Sequence, residues 1–181
     1  QLISVLPPAS EDEGSELDPW EGLPRLAIVG RPNVGKSSIT NALFEEEVSI
    51  VTDIAGTTRD TVNQRFTKFG MDFVLLDTAG LRKKVKVHED LEFYSNMRTL
   101  RTIEDSDVCM LVIDAAQGIE AQDLAITSVI HKNRKGLIVV VNKWDLVEKQ
   151  TQTLEEYKAV IKKRLQPFND VPIIFTSALT K

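Results

Sequence analysis

Gly30-Arg31-Pro32-Asn33-Val34-Gly35-Lys36-Ser37 is the stretch on which the fold turns. It has the spacing G-x-x-x-x-G-K-[ST]. The apolar run Leu26-Ala27-Ile28-Val29 precedes it, and Ile39, Ala42 and Leu43 recur after it at helical spacing. A strand ending in a Gly-rich turn that opens a helix is the setting in which this spacing binds phosphate. The glycines let backbone N–H groups face phosphate oxygens, and the helix N-terminus adds free donors and a favourable dipole. The expected contacts run through Gly30, Asn33, Val34, Gly35, Lys36, Ser37 and Ser38. Lys36 is expected to reach the β- and γ-phosphates and the Ser37 hydroxyl to hold Mg²⁺.

Outward from this loop, apolar strands alternate with helical periodicities. Residues 63–69 and 72–76 read as two strands of a hairpin around Gly70-Met71. Phe93, Met97, Leu100 and Ile103 predict a helix, Val108–Ile113 a strand, and Ala121, Leu124, Ala125 and Val129 a second helix. Leu137–Val141 predicts a strand, Leu154, Tyr157, Ile161 and Leu165 a helix, and Val171–Phe175 a last strand. Continuous apolar strands between amphipathic helices imply an α/β layer fold with a mostly parallel sheet. An α/β unit of this kind calls for one more helix after the last strand to cover the sheet, so the domain reads as lacking its last helix.

Two further segments give the loop its partners. Leu75-Leu76-Asp77-Thr78-Ala79-Gly80 puts an acid at a strand end, suited to the water shell of Mg²⁺. Gly80 lets a backbone N–H approach the γ-phosphate. Asn142-Lys143-Trp144-Asp145 follows an apolar strand. A carboxylate at Asp145 accepts two hydrogen bonds from the guanine N1–H and N2–H₂ edge, where adenine offers no such donor pair. Asn142 can contact the base and brace the phosphate loop, and the Lys143 stem can pack over the ring. Ser177, Ala178 and Leu179 would close the base pocket with a backbone N–H.

Composition narrows the setting. The chain has 181 residues, 42% of them apolar and 27% charged, enough for one domain with a core. It contains no apolar run of about 18 residues and no leader-like N-terminus. Cys109, the only cysteine, lies in an apolar strand and reads as a core thiol. A reducing cytoplasm is the expected location. The formal charge of −5 belongs to one end: Glu11, Asp12, Glu13, Glu16, Asp18 and Glu21 fall within residues 1–24, which hold no Lys or Arg. With Pro7, Pro8, Pro19 and Pro24 among them, these residues read as a linker. Leu2, Ile3, Val5 and Leu6 ahead of it read as the end of a preceding domain, and the domain proper as residues 25–181.

The set GRPNVGKSS, DIAGTTRD, DTAGLRKK, NKWD and SAL resembles the Era, MnmE and Der group of GTPases. It is most similar to the Der (EngA) family of double-GTPase ribosome-assembly factors, and within it to the second GTPase domain. The resemblance covers residues 25–181. It implies a Ras-like P-loop fold with six strands and helices on both faces, and a Mg²⁺-dependent GTPase. In that family a neighbouring GTPase domain, a KH-like domain and the ribosomal large subunit with its rRNA are the partners. By position, Thr58 would be the mobile-loop Mg²⁺ ligand beside Ser37 and Asp77. Asn33 with the carbonyls of Thr52, Ile54 and Thr57 resembles a potassium site, although Asn33 also suits a turn intrinsically. Leu81 stands where Ras-like enzymes carry a water-orienting Gln. Glu89 lies where the MnmE relatives carry an acid, yet it equally reads as an exposed Glu opening a helix. Lys36, Thr58, Gly80 and Glu89 are thus the catalytic candidates. The basic run Arg82–Lys86 reads as a solvated switch loop or as a contact to RNA phosphates. Two functions stay open: a GTP-hydrolysing switch, and a regulatory nucleotide-binding module with negligible turnover alone.

Overall fold

The computed structural model describes residues 20–44, 63–78, 90–148, 153–168 and 170–178, with the backbone alone for 90–96 and 153. The strands are β1 (Arg25–Val29), β2 (Gln64–Phe66), β3 (Phe73–Leu76), β4 (Val108–Asp114), β5 (Gly136–Asn142) and β6 (Ile173–Phe175). The helices are α1 (Lys36–Phe44), α2 (Asp90–Asp105), α3 (Ala121–Lys132) and α4 (Thr153–Arg164), with a 3₁₀ turn at Trp144–Leu146. No described helix is long and apolar enough to cross a membrane.

One sheet carries the fold, in the order β2-β3-β1-β4-β5-β6. Only β2 runs antiparallel to its neighbour. Alternate residues of each strand enter separate cores. Ala27, Val29, Cys109, Leu111, Ile113, Val139 and Val141 pack with Ile103 of α2, Ile130 of α3 and Ile161 of α4. Ile28, Leu75, Val112 and Val140 face the other way, against Ile39, Leu43 and Phe44 of α1. Both faces therefore bury apolar surface, which is why these strands read as unbroken apolar runs and not as alternations. The expected six strands and two covered faces are present. On the α1 side, the sheet surface near β6 stays partly open, with Ile174 half exposed.

Three sequence expectations shift. The hairpin turn is centred on Phe69-Gly70, one residue earlier than Gly70-Met71. Met71 N donates to the Lys68 carbonyl at 2.9 Å, and Phe69 and Gly70 take φ 55° and 73°, a type I′ turn whose twist matches the strands. The hairpin strands are shorter than 63–69 and 72–76, and the last strand begins at Ile173, not Val171. On α3 the apolar periodicity is half met: Leu124 and Val129 pack against the core, but Ala121 and Ala125 do not. Ala121 and Ala125 are exposed, while Asp123, Thr127 and Ile130 are buried. Asp123 can be buried because it is bonded within the fold. Its carboxylate accepts from Glu120 N at 2.9 Å, completing a capping box, and from Arg31 Nε at 2.9 Å. Thr127 resolves its own polarity by donating to the Asp123 carbonyl.

Candidate nucleotide site

The parallel strands deliver the sequence motifs to one edge. β1 runs into the loop at Gly30, β3 ends before Asp77, β4 ends at Asp114 and β5 at Asn142, with Asp114 and Asn142 in register. β1 is also where the strand order changes direction, the place where open α/β sheets form a crevice at their carboxyl ends.

Within the phosphate loop the glycines are sterically required. Gly30 has φ +143°, and a Cβ there would lie 2.4 Å from the Val112 carbonyl oxygen. Gly35 has φ +96°, and a Cβ there would lie 2.1 Å from Asn142 Nδ2. Asn33 is exposed at φ 64°, a left-handed conformation that Asn tolerates. Val34 is buried beneath the loop. Lys36 opens α1 and turns back over the loop, donating from Nζ to the Gly30 carbonyl at 2.7 Å and the Arg31 carbonyl at 2.6 Å. Burial lowers its pKa to about 8, opposed by the Asp123 carboxylate. Ser37 is exposed and Ser38 half-buried in the first turn of α1.

At the base end, buried Asn142 joins three segments. Its Nδ2 donates to the Val34 carbonyl at 2.9 Å and its Oδ1 accepts from Ala178 N at 3.1 Å. Lys143 takes φ 61° and reaches Asp114 Oδ2 at 2.6 Å. Burial works against the Asp114 charge, but Lys143 and the Ala116 N–H outweigh it and hold the carboxyl below the usual range. Trp144 packs edge-on against Tyr157 and Phe175, with centroids 5.3 and 4.5 Å away, and so anchors the turn that presents exposed Asp145. The Ser177 hydroxyl oxygen is buried with no hydrogen-bond partner among the described residues.

The carboxylate of Asp77 is engaged by α2. Arg98 grips both of its oxygens, with Nε 2.6 Å from Oδ2 and a second bond from Nη2 to Oδ1. Asp77 itself has φ 54°, and its N–H donates to Asn63 Oδ1. Thr52, Ile54, Thr57, Thr58, Gly80, Leu81, the basic run 82–86, Glu89 and Leu179 lie outside the described residues. No group of three or more His, Cys, Asp or Glu could hold a metal among the described residues. Cys109 is buried in the core with its Sγ 3.2 Å from Ser106 Oγ, and burial pushes its thiol pKa up.

Sequence reasoning missed Arg31, Arg98, Asp114 and Asp123. Arg31 and Asp114 hide at positions the motifs leave variable or do not reach. Asp123 carried a legible signal, because Glu120-x-x-Asp123 ahead of a helix has capping-box spacing.

Residues 25–143 match the family model described as 50S ribosome-binding GTPase. The chain is 58% identical to a protein named GTPase Der from Phocaeicola vulgatus, across 100% of this chain and 41% of that one. It is 56% identical to GTPase Der from Flavobacterium johnsoniae, across 99% and 41%. It thus spans about two fifths of the length of these relatives. Among solved structures, Aquifex aeolicus Era bound to GDP·AlF4− superposes with a TM-score of 0.65 at 30% identity, covering 87% of this chain and 52% of Era. An Era complex with MgGDPNP and 16S ribosomal RNA gives a TM-score of 0.65 at 30% identity, covering 87% and 51%.

Proposed function

The chain belongs to the 50S ribosome-binding GTPase family, and from that membership we propose that it binds and hydrolyses GTP as a switch acting in assembly of the large ribosomal subunit. One observation carries the reading. Asn142 ties the phosphate loop, the Asn142–Asp145 segment and the Ser177–Ala178 turn into one buried hydrogen-bonded unit. The two ends of a nucleotide are thereby recognised at a set separation. Asp145 selects guanine, Lys143 covers the ring with its ammonium anchored on Asp114, and the loop N–H groups with Lys36 take the phosphates.

The oxygen donors at Ser37 and Asp77 fit Mg²⁺, with Thr58 completing the set. Ser37, Asp77 and Thr58 would hold the ion, which would supply positive charge to offset the negative charge developing on the phosphate. Arg98 holds the Asp77 carboxylate that would face the ion. Asn33, Thr52, Ile54 and Thr57 would hold K⁺, and Gly80 would sense the γ-phosphate. Glu89 is the one named acid for the attacking water, since Leu81 offers no amide. The family description and the rRNA-bound Era neighbour support the ribosomal role. The acidic segment 1–24 reads as a linker to a preceding domain. A module with negligible turnover is the second reading, favoured by Leu81 alone.

Asp145→Asn tests the base assignment, because it replaces an acceptor with a partial donor. Competition binding should show GTP affinity falling by about a hundredfold and XTP affinity rising. Unchanged GTP affinity removes Asp145 from the base site.

A further inference from the structure

Arg31 occupies a variable position of the phosphate-loop motif, yet it is among the few buried charged side chains of the described residues. Its guanidinium meets four acceptors. Nε donates to Asp123 Oδ2 at 2.9 Å, Nη1 reaches Gln117 Oε1 at 3.0 Å and Glu120 Oε2 at 2.7 Å, and Nη2 donates to the Gly118 carbonyl at 3.1 Å. All four lie on α3 or in the turn leading into it, about 90 residues along the chain. Only the planar fork of an arginine satisfies so many directions at once.

The other side of the same residue faces the phosphate site. The Arg31 carbonyl and the adjoining Gly30 carbonyl are the two acceptors of the Lys36 ammonium. A Gly-containing loop has large backbone freedom to lose, and a side chain locked into a helix N-terminus removes it before ligand arrives. Asp123 is fully buried, and its second oxygen, Oδ1, has no hydrogen-bond partner among the described residues. Asp123 is thus the buried counter-charge of Arg31, beside the more exposed Glu120, and its charge also acts on Lys36.

We propose that Arg31 and Asp123 form a positioning pair for the phosphate half of the site, holding the loop carbonyls that preset Lys36 for a nucleoside di- or triphosphate. Neither side chain needs to touch the nucleotide. The inference rests on the phosphate-loop reading above and adds residues that the motif leaves unassigned.

The test uses the 181-residue chain with Arg31→Lys, Asp123→Asn, the double variant and Lys36→Ala. Affinities for GDP, GTP and guanosine are measured by competition, alongside thermal melts. Asp123→Asn and Arg31→Lys should each weaken GDP and GTP by about tenfold, the scale for unpairing a buried charged group. Guanosine, which lacks phosphate, should bind as in the unchanged protein, which also certifies that the variants are folded. The double variant should be no weaker than the poorer single one. Equal losses for guanosine and GDP would make the pair a general fold element and overturn the proposal. Unchanged GDP affinity in both single variants, with Lys36→Ala still defective, would overturn it while sparing the phosphate reading. Normal GDP and GTP binding by Lys36→Ala would sink that reading itself.

Discussion

Gly35 shows how little room single residues have at this site. Its φ of +96° disfavours any side chain, and a Cβ would displace the Asn142 amide that holds the Val34 carbonyl. Gly35→Ala should therefore destabilise the chain by about 2 kcal/mol or more, from backbone strain plus a broken buried hydrogen bond. Urea denaturation checks this, and a cost below about 0.5 kcal/mol would contradict the packing. Lys143 shows the same economy at the base end. It accepts a left-handed φ of 61° and an ion pair with buried Asp114, so the residue next to Asp145 is held in place from two directions.

At the scale of elements, α3 combines two duties. Its N-terminus binds Arg31 through Asp123, while its C-terminal half fills the core through Ile130. Ile130→Ala should cost about 2–4 kcal/mol in urea unfolding, the usual penalty for a cavity at a fully buried aliphatic position. Ala125→Ser, on the exposed face, should change stability by no more than about 0.5 kcal/mol. The opposite ranking would contradict the burial of Ile130 and the exposure of Ala125. α2 likewise has two attachments. It buries Ile103 in the core shared with β1 and β4 and grips Asp77 through Arg98.

At the scale of the whole molecule, a single sheet edge gathers residues from Gly30 to Ala178, and the cation sites proposed there have a measurable consequence. GTP hydrolysis should be severalfold faster in KCl than in NaCl at equal ionic strength, since screening is then matched and only ion identity differs. Equal rates would remove the potassium role of Asn33, and absent turnover would favour the regulatory module. Much of this organisation was legible in the chain. The phosphate loop and the Asn142–Asp145 segment are local patterns whose chemistry follows from residue type and spacing, and strands buried on both faces announce themselves as apolar runs. The sequence by itself determined the fold class and the strand count, and it carried the candidate motifs for phosphate and guanine. Only the tertiary structure decided that Asp123 and Thr127 of α3 are buried while Ala121 and Ala125 are not, that Phe69 and not Met71 sits in the hairpin turn, and that Arg98 holds Asp77. It alone paired Arg31 with Asp123. The physical reason is that these depend on partners far apart along the chain, and a buried charge is legible only once its counter-charge is in place.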